Sequence, residues 1–171
     1  LAQRVAIAFA LAGEPKLLVC DEPTTALDVS VQAEILGLLH ELQQASAMSI
    51  LIVTHDWGVV ADLCHESVVM YAGQVVERAD TEALFVQPLH PYTEGLLGAN
   101  PHLANEGEVL PTIPGTVPPP EDWPISCHFA DRCRYATAEC RAGAIPIREA
   151  MPDRLTRCVR AEIFVEQGAV R

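Results

Sequence analysis

Hydrophobic positions in the first half of the chain switch between two spacings. Gln3–Ala12 is alanine-rich and favours a helix, with Gly13 as its stop and Pro15 just beyond. Lys16–Cys20 is a short, largely apolar run, which predicts a strand buried on both faces of a parallel sheet. Pro23 has no N–H and restricts the residue before it, so that strand ends there. The spacing then becomes helical at Val31, Ile35, Leu38, Leu39 and Leu42, with Asp28 placed as the cap. Ser49–Thr54 predicts a second strand, and Asp56 caps a short helix reaching Leu63. Ser67–Tyr71 and Gln74–Glu77 flank Ala72-Gly73 as a hairpin, followed by a short helix over Thr81–Phe85.

The pattern changes near residue 86. Most of the thirteen prolines lie between Pro88 and Pro124, including Pro118-Pro119-Pro120, and that density favours extended backbone. A boundary there divides the chain into 1–85 and 86–171, a part-domain followed by an extension. Half the residues are hydrophobic, enough for a core, and the net charge is −12. That charge argues against nucleic acid or an anionic membrane surface as the main partner. No apolar run reaches the about 18–20 residues of a bilayer span, and the opening residues lack the layout of a signal peptide.

The chemistry concentrates where the first strand ends. Asp21 and Glu22 are delivered to the carboxyl edge of a sheet, where open α/β folds bind ligands. One carboxylate can hold Mg²⁺ through waters. The next can take a proton from an attacking water. This is the layout of a Walker B strand in a nucleotide hydrolase. The second strand ends in Thr54-His55-Asp56, and an imidazole there can hydrogen-bond a phosphate. The plainer alternatives are a surface carboxylate for Glu22, a structural histidine for His55 and a helix cap for Asp28.

In order and spacing these segments resemble the ATP-binding subunit of an ABC transporter. Q-R-V-A-I-A-x-A-L, from Gln3 to Leu11, is similar to the helix behind the family's signature loop. D-E-P-T-T-A-L-D, from Asp21 to Asp28, resembles Walker B plus the D-loop, and T-H-D around His55 the switch-histidine loop. The H-P-Y-T segment within Leu84–Leu97 resembles the C-terminal extension of oligopeptide, dipeptide and nickel importers. The resemblance implies an α/β fold: the C-terminal half of a P-loop ABC-type nucleotide-binding domain plus a Pro-rich, Cys-containing extension. It implies Glu22 as general base, Asp21 as the Mg²⁺ residue and His55 beside the γ-phosphate. Asp28 would lie at the interface of two ATPase domains. Gln3 and Arg4 would sit on a helix whose N-terminus faces the partner's nucleotide.

The family's G-x-x-x-x-G-K-[ST] phosphate loop, glutamine loop and L-S-G-G-Q signature do not occur in these 171 residues. The chain is therefore expected to be part of a longer ATPase and inactive by itself. The resemblance implies ATP and Mg²⁺, a second ATPase subunit, two membrane permeases and an extracytoplasmic solute-binding protein. It also implies a peripheral place on the cytoplasmic face of the membrane. A non-catalytic remnant and a metal-binding regulatory module are the competing readings.

Six cysteines divide into two kinds. Cys20 and Cys64 read as small apolar residues. Cys127, Cys133, Cys140 and Cys158 form C-x5-C-x6-C-x17-C in the tail. Structural zinc favours tighter pairs, and disulfides do not suit a cytosolic ATPase. Four thiolates can hold an iron–sulfur cluster, and the resemblance implies a 4Fe–4S site, with zinc and unligated thiols as alternatives. A metal would also help hold a proline-rich tail together. His40, His65 and His102 read as surface residues, and His90 as structural or docking.

Overall fold

The computed structural model describes residues 2–25, 27–45, 48–101 and 110–168; Ala26 and His102 lie outside them. It divides into two compact units, Leu1–Cys64 and His65–Arg171. The compositional boundary near residue 86 falls inside the second unit.

The first unit is a βαβ arrangement preceded by a helix. Helix α1 (Ala2–Leu11) leads to strand β1 (Leu17–Asp21), helix α2 (Val29–Ala45), strand β2 (Ser49–Val53) and helix α3 (Trp57–Leu63). Strands β1 and β2 pair in parallel from Leu17↔Ser49 to Asp21↔Val53, so both end at one sheet edge. Leu18 and Cys20 join Ile7 of α1 and Ile35 and Leu39 of α2 in one core, with Ile50 and Ile52 packed against it.

The expectation of burial on both faces is not met. Leu17, Val19, Leu51 and Val53 are about half exposed, because the period-2 pleat turns them away from that core. A parallel sheet normally carries covering elements on each face. Within this unit the described core lies on one.

The second unit is built on an antiparallel sheet of order β3-β4-β6-β5. Strands β3 (Glu66–Tyr71) and β4 (Gln74–Asp80) form the expected hairpin, longer than the sequence pattern indicates. Its two-residue turn has φ of +44° at Ala72 and +74° at Gly73, the positive-φ pair that matches strand twist. Helix α4 (Thr81–Val86) follows, capped by the Asp80 carboxylate on the Ala83 N–H.

Helix α5 (Pro91–Gly98) corrects the reading of 88–124 as wholly extended. His90 Nδ1 accepts from the Tyr92 N–H, and Pro91 opens the first turn, where a missing N–H costs nothing. Further 3₁₀ turns lie over Pro120–Asp122, Ala130–Arg132 and Ala138–Arg141. Strands β5 (Arg148–Met151) and β6 (Arg154–Thr156) and helix α6 (Ala161–Gly168) complete the unit. Strand β6 joins β4 through Glu77↔Thr156 and Arg78↔Leu155.

Glu77 ties these parts together. It is fully buried, and its Oε1 and Oε2 accept from the Leu89 and His90 N–H groups at 2.7 and 3.0 Å. Arg154 lies 3.5 Å from Oε1 and also donates to the Gln87 carbonyl. Burial raises the Glu77 pKa and lowers that of Arg154, so desolvation outweighs their attraction in each. Tyr71, Tyr92 and Phe129 pack as an aromatic cluster, with ring centroids 4.7–5.4 Å apart.

Candidate functional site

The candidate site opens where β1 and β2 end together. Asp21 closes β1 and is exposed at that edge. Glu22 then leaves the strand. Its N–H still donates to the Val53 carbonyl at 2.8 Å, while its φ turns to +44°, a region a non-glycine residue rarely adopts. The Thr25 N–H closes a turn onto the Glu22 carbonyl at 3.2 Å, across Pro23.

The turn brings three side chains together. His55 Nδ1 lies 3.2 Å from Glu22 Oε1, and the Thr25 hydroxyl donates to Glu22 Oε2 at 2.8 Å. The Thr25 hydroxyl, and after it His55, hold the Glu22 carboxyl below the usual range. An ionised carboxylate only accepts, so the Nδ1–Oε1 contact requires the proton on Nδ1 and leaves Nε2 for a further partner. Glu22 and His55 come from different strand ends and are 33 residues apart in sequence.

Asp28 caps α2. Its Oδ1 accepts from the Ser30 hydroxyl at 2.6 Å and the Val31 N–H at 2.9 Å, and these bonds lower its pKa. Asp56 caps α3 through the Gly58 N–H at 2.8 Å and accepts from Gln32 Nε2 at 3.1 Å. That second bond ties α2 to the loop carrying His55. Arg4 pairs with Glu34 of α2, so the structure engages it within its own unit, while Gln3 is half-buried on α1.

The four tail cysteines also converge. Cys127, Cys133, Cys140 and Cys158 are free thiols that line one small cavity of about 10 Å³, with Phe129 and Ile145 among its apolar walls. Burial raises the thiol pKa of Cys127 and Cys133 and pushes Cys158 up to about 12. Among the described residues, no group of three His, Cys, Asp or Glu side chains is arranged to hold a metal ion. The four thiols gather at one cavity, and the iron–sulfur expectation finds no ligand geometry among the described residues. A cavity of that size has room for about one water, not a cluster, so seating one requires the thiols to swing apart.

Three contributors escape a sequence reading. Thr25 is signalled only by a hydroxyl three residues after a carboxylate across a proline. Glu77 is signalled by a carboxylate at a position facing the core in β4, and Arg154 by no local pattern. Among the described residues, no helix is long and apolar enough to cross a membrane.

Residues 76–140 match the family model described as "Oligopeptide/dipeptide transporter, C-terminal region". The chain is 49% identical over 158 residues to the dipeptide transport ATP-binding protein DppD of Escherichia coli (strain K12), covering 92% of this chain and 48% of that protein. It is 47% identical over 167 residues to the oligopeptide transport ATP-binding protein AppD of Bacillus subtilis (strain 168), covering 98% and 50%. The chain spans about half the length of the curated relatives it matches.

Proposed function

From a chain that carries the C-terminal region of oligopeptide/dipeptide transporters and is related to peptide-transport ATP-binding proteins, we propose part of the ATP-hydrolysing subunit of an ABC importer for peptides. The observation that carries this reading is the Glu22–His55 pair at the shared end of two parallel strands. Glu22 accepts the proton of the attacking water, and its hydrogen-bonded carboxylate stays ionised to do so. His55 orients that carboxylate through its Nδ1–H, and a hydrogen bond from Nε2 to the γ-phosphate requires a second proton on the ring. Asp21, exposed beside Glu22, holds Mg²⁺ through water, and the ion, when bound, offsets charge on the transferred phosphoryl group.

Asp28, Gln3 and Arg4 belong in this reading to the contact with a second ATPase subunit. Closure of the pair moves two permeases fed by an extracytoplasmic solute-binding protein, with the ATPases on the cytoplasmic face. The test is ATP turnover by the full-length protein with its permeases. Glu22→Gln abolishes turnover while ATP still binds; turnover at the parent rate refutes the reading.

The finer reading of the tail is a 4Fe–4S cluster on Cys127, Cys133, Cys140 and Cys158, four thiols that line one cavity and would have to move apart to seat it. Iron and sulfide are measured on anaerobically purified full-length protein and on Cys127→Ser. Iron lost in the variant supports the cluster; no iron in the parent overturns it.

A further inference from the structure

Glu22 is the candidate general base, and its side chain is only partly covered. Its side chain is 45% exposed, and several rotatable bonds separate its carboxylate from the backbone. Two hydrogen bonds fix the carboxylate, one to each oxygen. Oε1 faces His55 Nδ1, and Oε2 accepts from the Thr25 hydroxyl. The two partners differ in how firmly they are themselves held. The His55 side chain is 79% exposed. Thr25 is locked to Glu22 by the backbone, since its N–H closes the turn onto the Glu22 carbonyl at 3.2 Å. Pro23, inside that turn, has a fixed φ and is buried, as is Thr24.

We propose that Thr25 is a positioning residue for the general base: its hydroxyl, carried on the Glu22–Thr25 turn, holds Glu22 Oε2 and thereby aims the carboxylate. Of the four lone-pair sites on a carboxylate, Thr25 takes one on Oε2, leaving room on the same group for His55 and for a water. Thr25 is also three residues before Asp28, the cap of α2, so one short segment carries both the aiming hydroxyl and the start of the helix. The inference rests on the reading of Glu22 as base. A threonine that only shaped the turn would act through its backbone, and its hydroxyl would be dispensable.

The experiment compares ATP turnover by the full-length protein with its permeases for the parent, Thr25→Val, Thr25→Ser and Glu22→Gln. Valine keeps the shape and removes the hydroxyl; serine keeps the hydroxyl. Misaiming a catalytic group by about 1 Å costs up to about 100-fold. Thr25→Val is therefore expected to lower kcat by about 10- to 100-fold with KM for ATP within about twofold, and Thr25→Ser to stay within about threefold of the parent. A kcat for Thr25→Val within twofold of the parent overturns the inference. So does an equal loss in Thr25→Ser, which would assign the effect to turn shape. If Glu22→Gln itself turns over at the parent rate, the premise fails and the inference with it. A dead Glu22→Gln beside an active Thr25→Val removes the inference alone.

Discussion

Replacing Glu77 by glutamine removes one charge and almost no volume, so its effect isolates the buried acceptor. The parent carboxylate satisfies the Leu89 and His90 N–H groups with separate oxygens. Glutamine offers one oxygen and one NH₂, so one backbone N–H then faces a donor. An orphaned buried donor costs about 1–3 kcal/mol. Arg154, only 7% exposed, also loses its counter-charge, and one-sided removal of a buried pair costs about 3–5 kcal/mol. Both losses pass through the same carboxylate and are not additive. The expected destabilisation is about 3–5 kcal/mol, a large share of a typical domain's about 5–15 kcal/mol.

Trp57 lies in the first unit and Trp123 in the second, so Trp123 emission in a Trp57→Phe background reports the second unit. Urea unfolding of parent and Glu77→Gln in that background gives the difference. Adding Arg154→Met removes the unpaired charge, but it also removes the donor to the Gln87 carbonyl, so one backbone N–H and one carbonyl are left without these partners. The double variant should recover only part of the loss of Glu77→Gln, and the two single losses should not add. A loss below about 1 kcal/mol for Glu77→Gln alone would refute the assignment of Glu77 as the keystone of this unit.

Two further outcomes follow from the same unit. Burial lowers the His90 pKa to about 3, so the unfolded chain takes up a proton near pH 6.5 that the folded chain refuses. Its contribution to stability is full above pH 6.5 and declines by about 1.4 kcal/mol per pH unit as pH falls toward 3. Glu77, raised by burial, acts oppositely, gaining stability as pH falls through its raised value. His90→Asn keeps a cap acceptor for the Tyr92 N–H and removes the histidine titration. Its urea midpoint should fall less than the parent's between pH 7 and pH 5, and equal falls would count against the assignment. Gly73→Ala meets two obstacles, a φ of +74° and a Cβ only 2.5 Å from the Trp123 ring. It should lose about 1–3 kcal/mol, read as a lower Tm with altered Trp123 emission, and an unchanged Tm would contradict the packing.

The βαβ pair and the hairpin were legible because each is encoded within a few residues. Leu17–Cys20 and Ser49–Val53 carry apolar runs, Val31–Leu42 carries the helical repeat, and Ala72-Gly73 carries turn chemistry. Strand ends followed from Pro23 and from the polar triplet at Thr54-His55-Asp56, so the edge bearing Asp21, Glu22 and His55 could be located in advance. Helix α5 was hidden by its own prolines, since Pro91 at the first turn starts a helix while the surrounding density suggests extended chain. β1 is buried on one face only, because an apolar run states what a strand can bury and not which of its faces a neighbouring element covers.

By itself the sequence determined local element types, the two carboxylates at a strand end and the family resemblance, because short-range periodicity and neighbouring residues are enough for each. Tertiary structure alone decided which oxygen of Glu22 meets Thr25 and which meets His55. It also decided that Glu77 accepts from a backbone 12 residues on, that β6 joins β4 across 79 residues, and that four cysteines share one cavity. Those outcomes depend on which sheet edge was open and which donors were left unpaired once the chain closed on itself. A buried N–H or carboxylate must find a partner, and no local pattern names that partner before the fold brings it near.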